Sequence, residues 1–101
     1  MRYHGIGIPR DRIAEFCRRH RIRRLCLFGS ILRDDFGPES DIDVLVEFEP
    51  EALVGLIRLA GIEFELGRML GRRIEMHTVR GLNPQFRDEV LAEAEPVYVA
   101  A

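Results

Sequence analysis

Gly29-Ser30, then ten residues, then Asp41-Ile42-Asp43 is the pattern in this chain most able to do chemistry. Asp41 and Asp43 open an apolar run and alternate along it. On an extended strand both side chains leave the same face, with their roots roughly 6–7 Å apart. Two ionised carboxylates so placed repel, and a divalent cation between them removes that cost. At the other end of the loop, Gly29 lets the backbone approach a phosphate closely, and the amides of Gly29 and Ser30 supply donors to it. The Ser30 hydroxyl adds a further donor, and the Arg33 guanidinium suits bidentate phosphate contact. A triphosphate brings a divalent cation with it. The pattern therefore points to metal-dependent nucleotide transfer.

A third carboxylate on a neighbouring strand would complete a two-metal centre, with the ions about 3.5–4 Å apart. Glu75 is the candidate. It sits on the polar face of an alternating run, between Arg73 and His77. His77 reads as a polar neighbour of the site, not as a base or ligand. Each piece alone has an ordinary explanation: a turn, a solvated strand end, a surface glutamate. Their conjunction in one short stretch is what carries the functional reading.

The elements that must position these residues follow from periodicity. Pro9 to His20 reads as a helix with Ile13, Phe16 and Cys17 inward. Ile22 to Phe28 reads as a strand ended by Gly29-Ser30, with a short helical turn through Arg33 and a loop over Phe36 to Ser40. Asp41 to Phe48 is the clearest strand: Ile42, Val44, Val46 and Phe48 share one face, Asp41, Asp43, Leu45 and Glu47 the other. Glu51 to Leu70 carries a helical pattern through Leu53, Ile57, Ala60, Phe64 and either Leu66 or Leu70, a stripe expected to be core, with a break near Gly61. Arg72 to Val79 reads as a strand. Pro84 to Ala94 reads as a helix with Phe86, Val90 and Leu91 inward, followed by a short strand from Pro96 to Val99. Helices packed on a short sheet give a small α/β or α+β sandwich.

A chain of 101 residues is expected to form one domain, residues 1–101. Its hydrophobic share of 47% with 32% charged residues fits a globular protein and argues against a membrane one. Met1 to Gly5 lacks the apolar core of a signal peptide, so a cytoplasmic location is expected. Cys17 and Cys26 read as buried, reduced thiols, and the lack of CxxC or HxxxH spacing argues against a zinc site. All fifteen basic residues are arginine. Without lysine there is neither a Walker-type phosphate loop nor Schiff-base chemistry. A net charge of −2 gives no global attraction to nucleic acid. The local cluster of Arg18, Arg19, Arg21, Arg23 and Arg24 reads first as a solvated helix end near the C-terminal dipole, then as a docking surface for an acidic partner.

The stretch from Phe28 to Val46 resembles the signature of the minimal nucleotidyltransferases of the DNA polymerase β-like superfamily, and the order of the flanking elements extends the resemblance over most of the chain. The resemblance implies an α+β fold, a small mixed β-sheet with helices packed against it. It implies an enzyme that uses Mg2+ and ATP, and an antitoxin that transfers AMP to a tyrosine hydroxyl of a cognate HEPN-domain toxin. By the same resemblance Gly29, Ser30 and Arg33 match the nucleotide-binding positions, and Asp41, Asp43 and Glu75 the catalytic metal-binding carboxylates. Two positions depart from the family pattern: Asp34 stands where glycine is usual, and Glu75 where aspartate is usual. A binding module that neutralises its partner without chemistry is the second reading. A small-molecule acceptor is the third, although such transferases usually carry a further domain. The oligomeric state, including a homo-oligomer, stays open.

Overall fold

The computed structural model describes residues 2–101. The chain opens with a hairpin, β1 (Arg2–Tyr3) and β2 (Ile6–Gly7). Its central residues His4 and Gly5 both have positive φ, 51° and 80°, as a type I′ turn requires. Helix α1 (Arg10–Arg19) follows, with Pro9 at its N-terminal boundary and Ile13, Phe16 and Cys17 buried at helical spacing. Asp11 in its first turn and Arg18 and Arg19 in its last suit the helix dipole. Arg21, at φ 58°, turns the chain into β3 (Ile22–Phe28).

A 3-10 turn (Gly29–Leu32) and a loop lead to β4 (Ile42–Phe48). Helix α2 (Leu56–Leu70) then crosses to β5 (Ile74–Thr78), and α3 (Arg87–Glu93) leads to β6 (Glu95–Val99). The sheet order is β5-β4-β3-β6. β4 and β5 pair in parallel, the arrangement that a helical crossover permits, and the other pairs are antiparallel. The sheet is therefore mixed, as the resemblance implied.

The two faces of the sheet are occupied differently. Leu25, Leu27, Ile42, Val44, Val46, Ile74 and Met76 join Phe16, Cys17, Ile62 and Leu66 in the main core. On the opposite face Cys26, Phe28, Leu45 and Leu82 form a smaller cluster with Val79, Val90 and Ala94. Strand alternation sends Asp43, Glu75 and His77 to this second face. Both cysteines are buried and free, and burial pushes the Cys17 thiol up to about 12.

Three expectations require correction. The helix expected from Glu51 begins only at Leu56, and it runs unbroken through Gly61, which lies on its open side. Of the expected inward stripe Leu66 is buried, but Leu53, Ile57 and Phe64 face out, 89%, 91% and 68% exposed. α2 is apolar on two faces, and the sheet selects the one carrying Leu59, Ile62, Leu66 and Met69. In α3, Phe86 and Leu91 are exposed, and Val90 alone of the three expected residues packs against the smaller cluster.

The arginine cluster is partly neutralised. Arg19 and His20 bind Glu65 at 2.7 and 3.0 Å, Arg21 binds Glu49 at 2.9 Å, and Arg23 and Arg24 face Glu47. Exposed pairs of this kind are worth little individually, but they reduce the local positive field.

Candidate active site

Register assembles the site. In the parallel pairing of β4 with β5, Asp43 stands directly opposite Glu75, and Leu45 opposite His77. In the antiparallel pairing of β3 with β4, Phe28 stands opposite Asp43. The turn that follows Phe28 is thus brought against the Asp43 carboxylate.

Gly29 shows how close that approach is. Its φ is +77°, and a Cβ built on it would lie 2.5 Å from Asp43 Oδ2. The position excludes a side chain twice over, by backbone conformation and by contact. The Gly29 N–H donates to Glu93 Oε1 of α3 at 3.1 Å. The amide expected to meet a phosphate is therefore held by a carboxylate, an engagement that sequence reasoning missed. The half-buried Ser30 continues the 3-10 turn, and its carbonyl accepts the Arg33 N–H at 2.9 Å. The Arg33 side chain is exposed and lies 3.6 Å from Asp35.

Among the described residues, the metal-capable side chains that converge are Asp43, Glu75 and His77, whose ligand atoms all lie within 4.8 Å of one another. Asp41, half-buried just before β4, is not in that group, although its charge reaches Glu75. The Glu75 carboxyl is held above its ordinary value, first by its hydrogen bond with Asp43, then by desolvation and by the Asp43 and Asp41 charges; His77 opposes the shift. Like charges directly opposite each other destabilise a sheet pair. A divalent cation would relieve that crowding, and the oxygen-rich donor set fits one.

The loop presenting Asp41 is clamped from β5's side of the fold. Arg72 Nη2 donates to the carbonyls of Gly37 at 2.8 Å and Ser40 at 2.6 Å, and its guanidinium lies 4.6 Å from the Phe36 ring centroid. His4 also stacks on the Phe36 ring, with centroids 4.9 Å apart. No sequence signal marked Arg72, because its partners lie more than thirty residues away. Arg72→Ala is expected to destabilise the protein by about 1.5–3 kcal/mol in urea titrations. It should also speed amide exchange at Ser40, whose N–H bonds the Gly37 carbonyl at 3.1 Å.

A sheet whose strands bring paired carboxylates against a glycine-serine turn defines the nucleotidyltransferase class. The family model for the nucleotidyltransferase domain matches residues 10–97, and the chain belongs to that family. A candidate protein adenylyltransferase of Methanocaldococcus jannaschii is 38% identical over 80 residues, covering 78% of this chain and 83% of the relative. The protein adenylyltransferase MntA of Thermococcus cleftensis is 32% identical over 85 residues, covering 84% and 82%. A solved structure of a candidate minimal nucleotidyltransferase is 37% identical with a TM-score of 0.71, covering 86% of this chain and 87% of that one. A complex of tri-AMPylated Shewanella oneidensis HEPN toxin with MNT antitoxin shares the fold at 17% identity, with a TM-score of 0.65, covering 90% and 70%. No helix among the described residues is long and apolar enough to cross a membrane.

Proposed function

We propose that this chain is a cytoplasmic, Mg2+-dependent protein adenylyltransferase that transfers AMP from ATP to a tyrosine hydroxyl of a cognate HEPN toxin. The observation that carries this reading is Asp43 in register with Glu75, with the Gly29 backbone against Asp43. The relatives named as protein adenylyltransferases support the reaction, and the fold neighbour complexed with an AMPylated HEPN toxin supports the partner.

Asp43 and Glu75 would hold the metal, and Asp41, outside their converging group, would have to turn toward it to complete the set. Bound there, Mg2+ supplies charge neutralisation of the triphosphate and acidifies a hydroxyl. The residues' own parts follow from their chemistry. Ser30 supplies its amide and hydroxyl to the phosphates, and Arg33 supplies a cation at the mouth of the loop. In the transfer, the tyrosine oxygen bonds to the α-phosphorus, the bond from that phosphorus to the bridging oxygen breaks, and pyrophosphate leaves. Glu75, the more exposed of the two facing carboxylates, is placed to receive the tyrosine proton.

Glu93 must release the Gly29 N–H before a phosphate can take it. Glu93→Ala is therefore expected to tighten Mg-ATP binding several-fold in calorimetric titrations, while Asp43→Asn should bind it poorly. Equal Mg-ATP affinity in wild type and Asp43→Asn would sink the proposed site. The engaged Gly29 amide and Glu75 in the usual aspartate position favour one second reading: an antitoxin that neutralises its partner by binding alone. It predicts neutralisation by wild type and Asp43→Asn alike.

A further inference from the structure

His77 faces the paired carboxylates without being hydrogen-bonded to either. Its Nε2 lies 3.6 Å from Asp43 Oδ1 and 3.8 Å from Glu75 Oε2, beyond hydrogen-bond range for both. Two ligands each about 2.0–2.2 Å from one ion stand roughly 2.8–3.1 Å apart when cis in an octahedral array and roughly 3.3–3.6 Å apart in a tetrahedral one. The 3.6 and 3.8 Å around Nε2 are close to the tetrahedral spacing and wider than the octahedral one by under about 1 Å, a gap that small rotations of the three side chains would close around a shared cation.

The ring is also held in place. Residue 77 lies on β5 one residue pair beyond Glu75 on the same face, and the imidazole packs edge-on against Phe28, with centroids 5.4 Å apart and planes at 64°. The other two histidines are engaged elsewhere: His4 contacts the Ile31 carbonyl at 2.9 Å, and His20 contacts Glu65.

We propose that His77 is a nitrogen ligand to the metal held by Asp43 and Glu75, and that it shifts this site's preference from Mg2+ toward Mn2+ and later first-row divalent ions. The inference rests on the metal-dependent reading above and adds the ligand that sets metal choice. Mg2+ favours oxygen ligands, whereas an imidazole adds affinity for Mn2+, Co2+ and Zn2+.

The test is Mn2+ binding to the full chain, read by pulsed electron paramagnetic resonance and by competition with Mg2+. Wild type should show coupling of Mn2+ to an imidazole nitrogen. His77→Gln should lose that coupling and bind Mn2+ about 10-fold or more weakly, with Mg2+ affinity changed less than about 2-fold. Bound Mn2+ without nitrogen coupling in wild type, or coupling that persists in His77→Gln, overturns the inference and leaves the transferase reading standing. Failure of wild type to bind either ion overturns both. The wild-type spectrum decides the matter even if the variant folds poorly.

Discussion

Asp43→Asn is expected to abolish nucleotide transfer while leaving the fold intact. The loss should be on the order of 10³-fold or more, because in the proposed site the residue would hold the cation, and it stands opposite the second carboxylate. Glu75→Gln should lose transfer comparably, yet keep more of its nucleotide affinity, since the phosphate turn and the two aspartates remain. Both variants should melt no lower than wild type when divalent ions are chelated, and by up to a few tenths of a kcal/mol higher, because each removes one of two like charges facing each other. The size of the gain is limited by exposure: Glu75 is 56% exposed, so solvent screens much of the repulsion. The sign with pH follows from the raised Glu75 carboxyl. A group whose folded-state value is raised contributes stability below its unfolded value and loses that contribution as pH rises through the folded one. The gap between Glu75→Gln and wild type should therefore be absent in acid and open as pH rises past the ordinary glutamate range. Thermal melts across pH check this, and a gap that is largest in acid would contradict it.

Gly29→Val is expected to have the next largest effect. Any side chain at this φ of +77° meets backbone strain of roughly 1–2 kcal/mol. The Cβ also meets Asp43 Oδ2 at 2.5 Å, so the carboxylate has to leave its position opposite Glu75 or the turn has to move off β4. Either way the phosphate turn and the metal carboxylate are separated. Mg-ATP affinity should fall below detection by calorimetry, and the melting temperature should drop. Gly29→Ala should share both defects in milder form, lacking only the β-branching. Wild-type Mg-ATP affinity in Gly29→Val would refute the placement of the nucleotide at this turn.

Much of this arrangement is written locally in the chain. The alternation from Ile22 to Phe28 marks β3, and the apolar run after Asp41 marks β4, because both strands have one face that must be buried. The Gly29 turn and the carboxylates are legible from residue type, since few other residues suit those positions. What is not legible depends on partners distant in sequence. The choice between two apolar faces of α2 is made by the sheet, which leaves Leu56, Ile57 and Phe64 outside. The arginine cluster looks like a patch until β4 and α2 bring Glu47, Glu49 and Glu65 to it. The convergence of His77 on Asp43 needs the register of β5 against β4, which no spacing within β5 specifies. The hold of Glu93 on the Gly29 amide spans 64 residues and depends on where α3 docks.

The most direct test of the adenylyltransferase reading is the intact mass of the proposed HEPN-domain partner after incubation with this protein, Mg2+ and ATP. Mass should increase by whole AMP units with wild type, not with Asp43→Asn, and the increase should vanish when the acceptor tyrosine is replaced by phenylalanine. A toxin that is neutralised by wild type with no gain in mass would contradict the account.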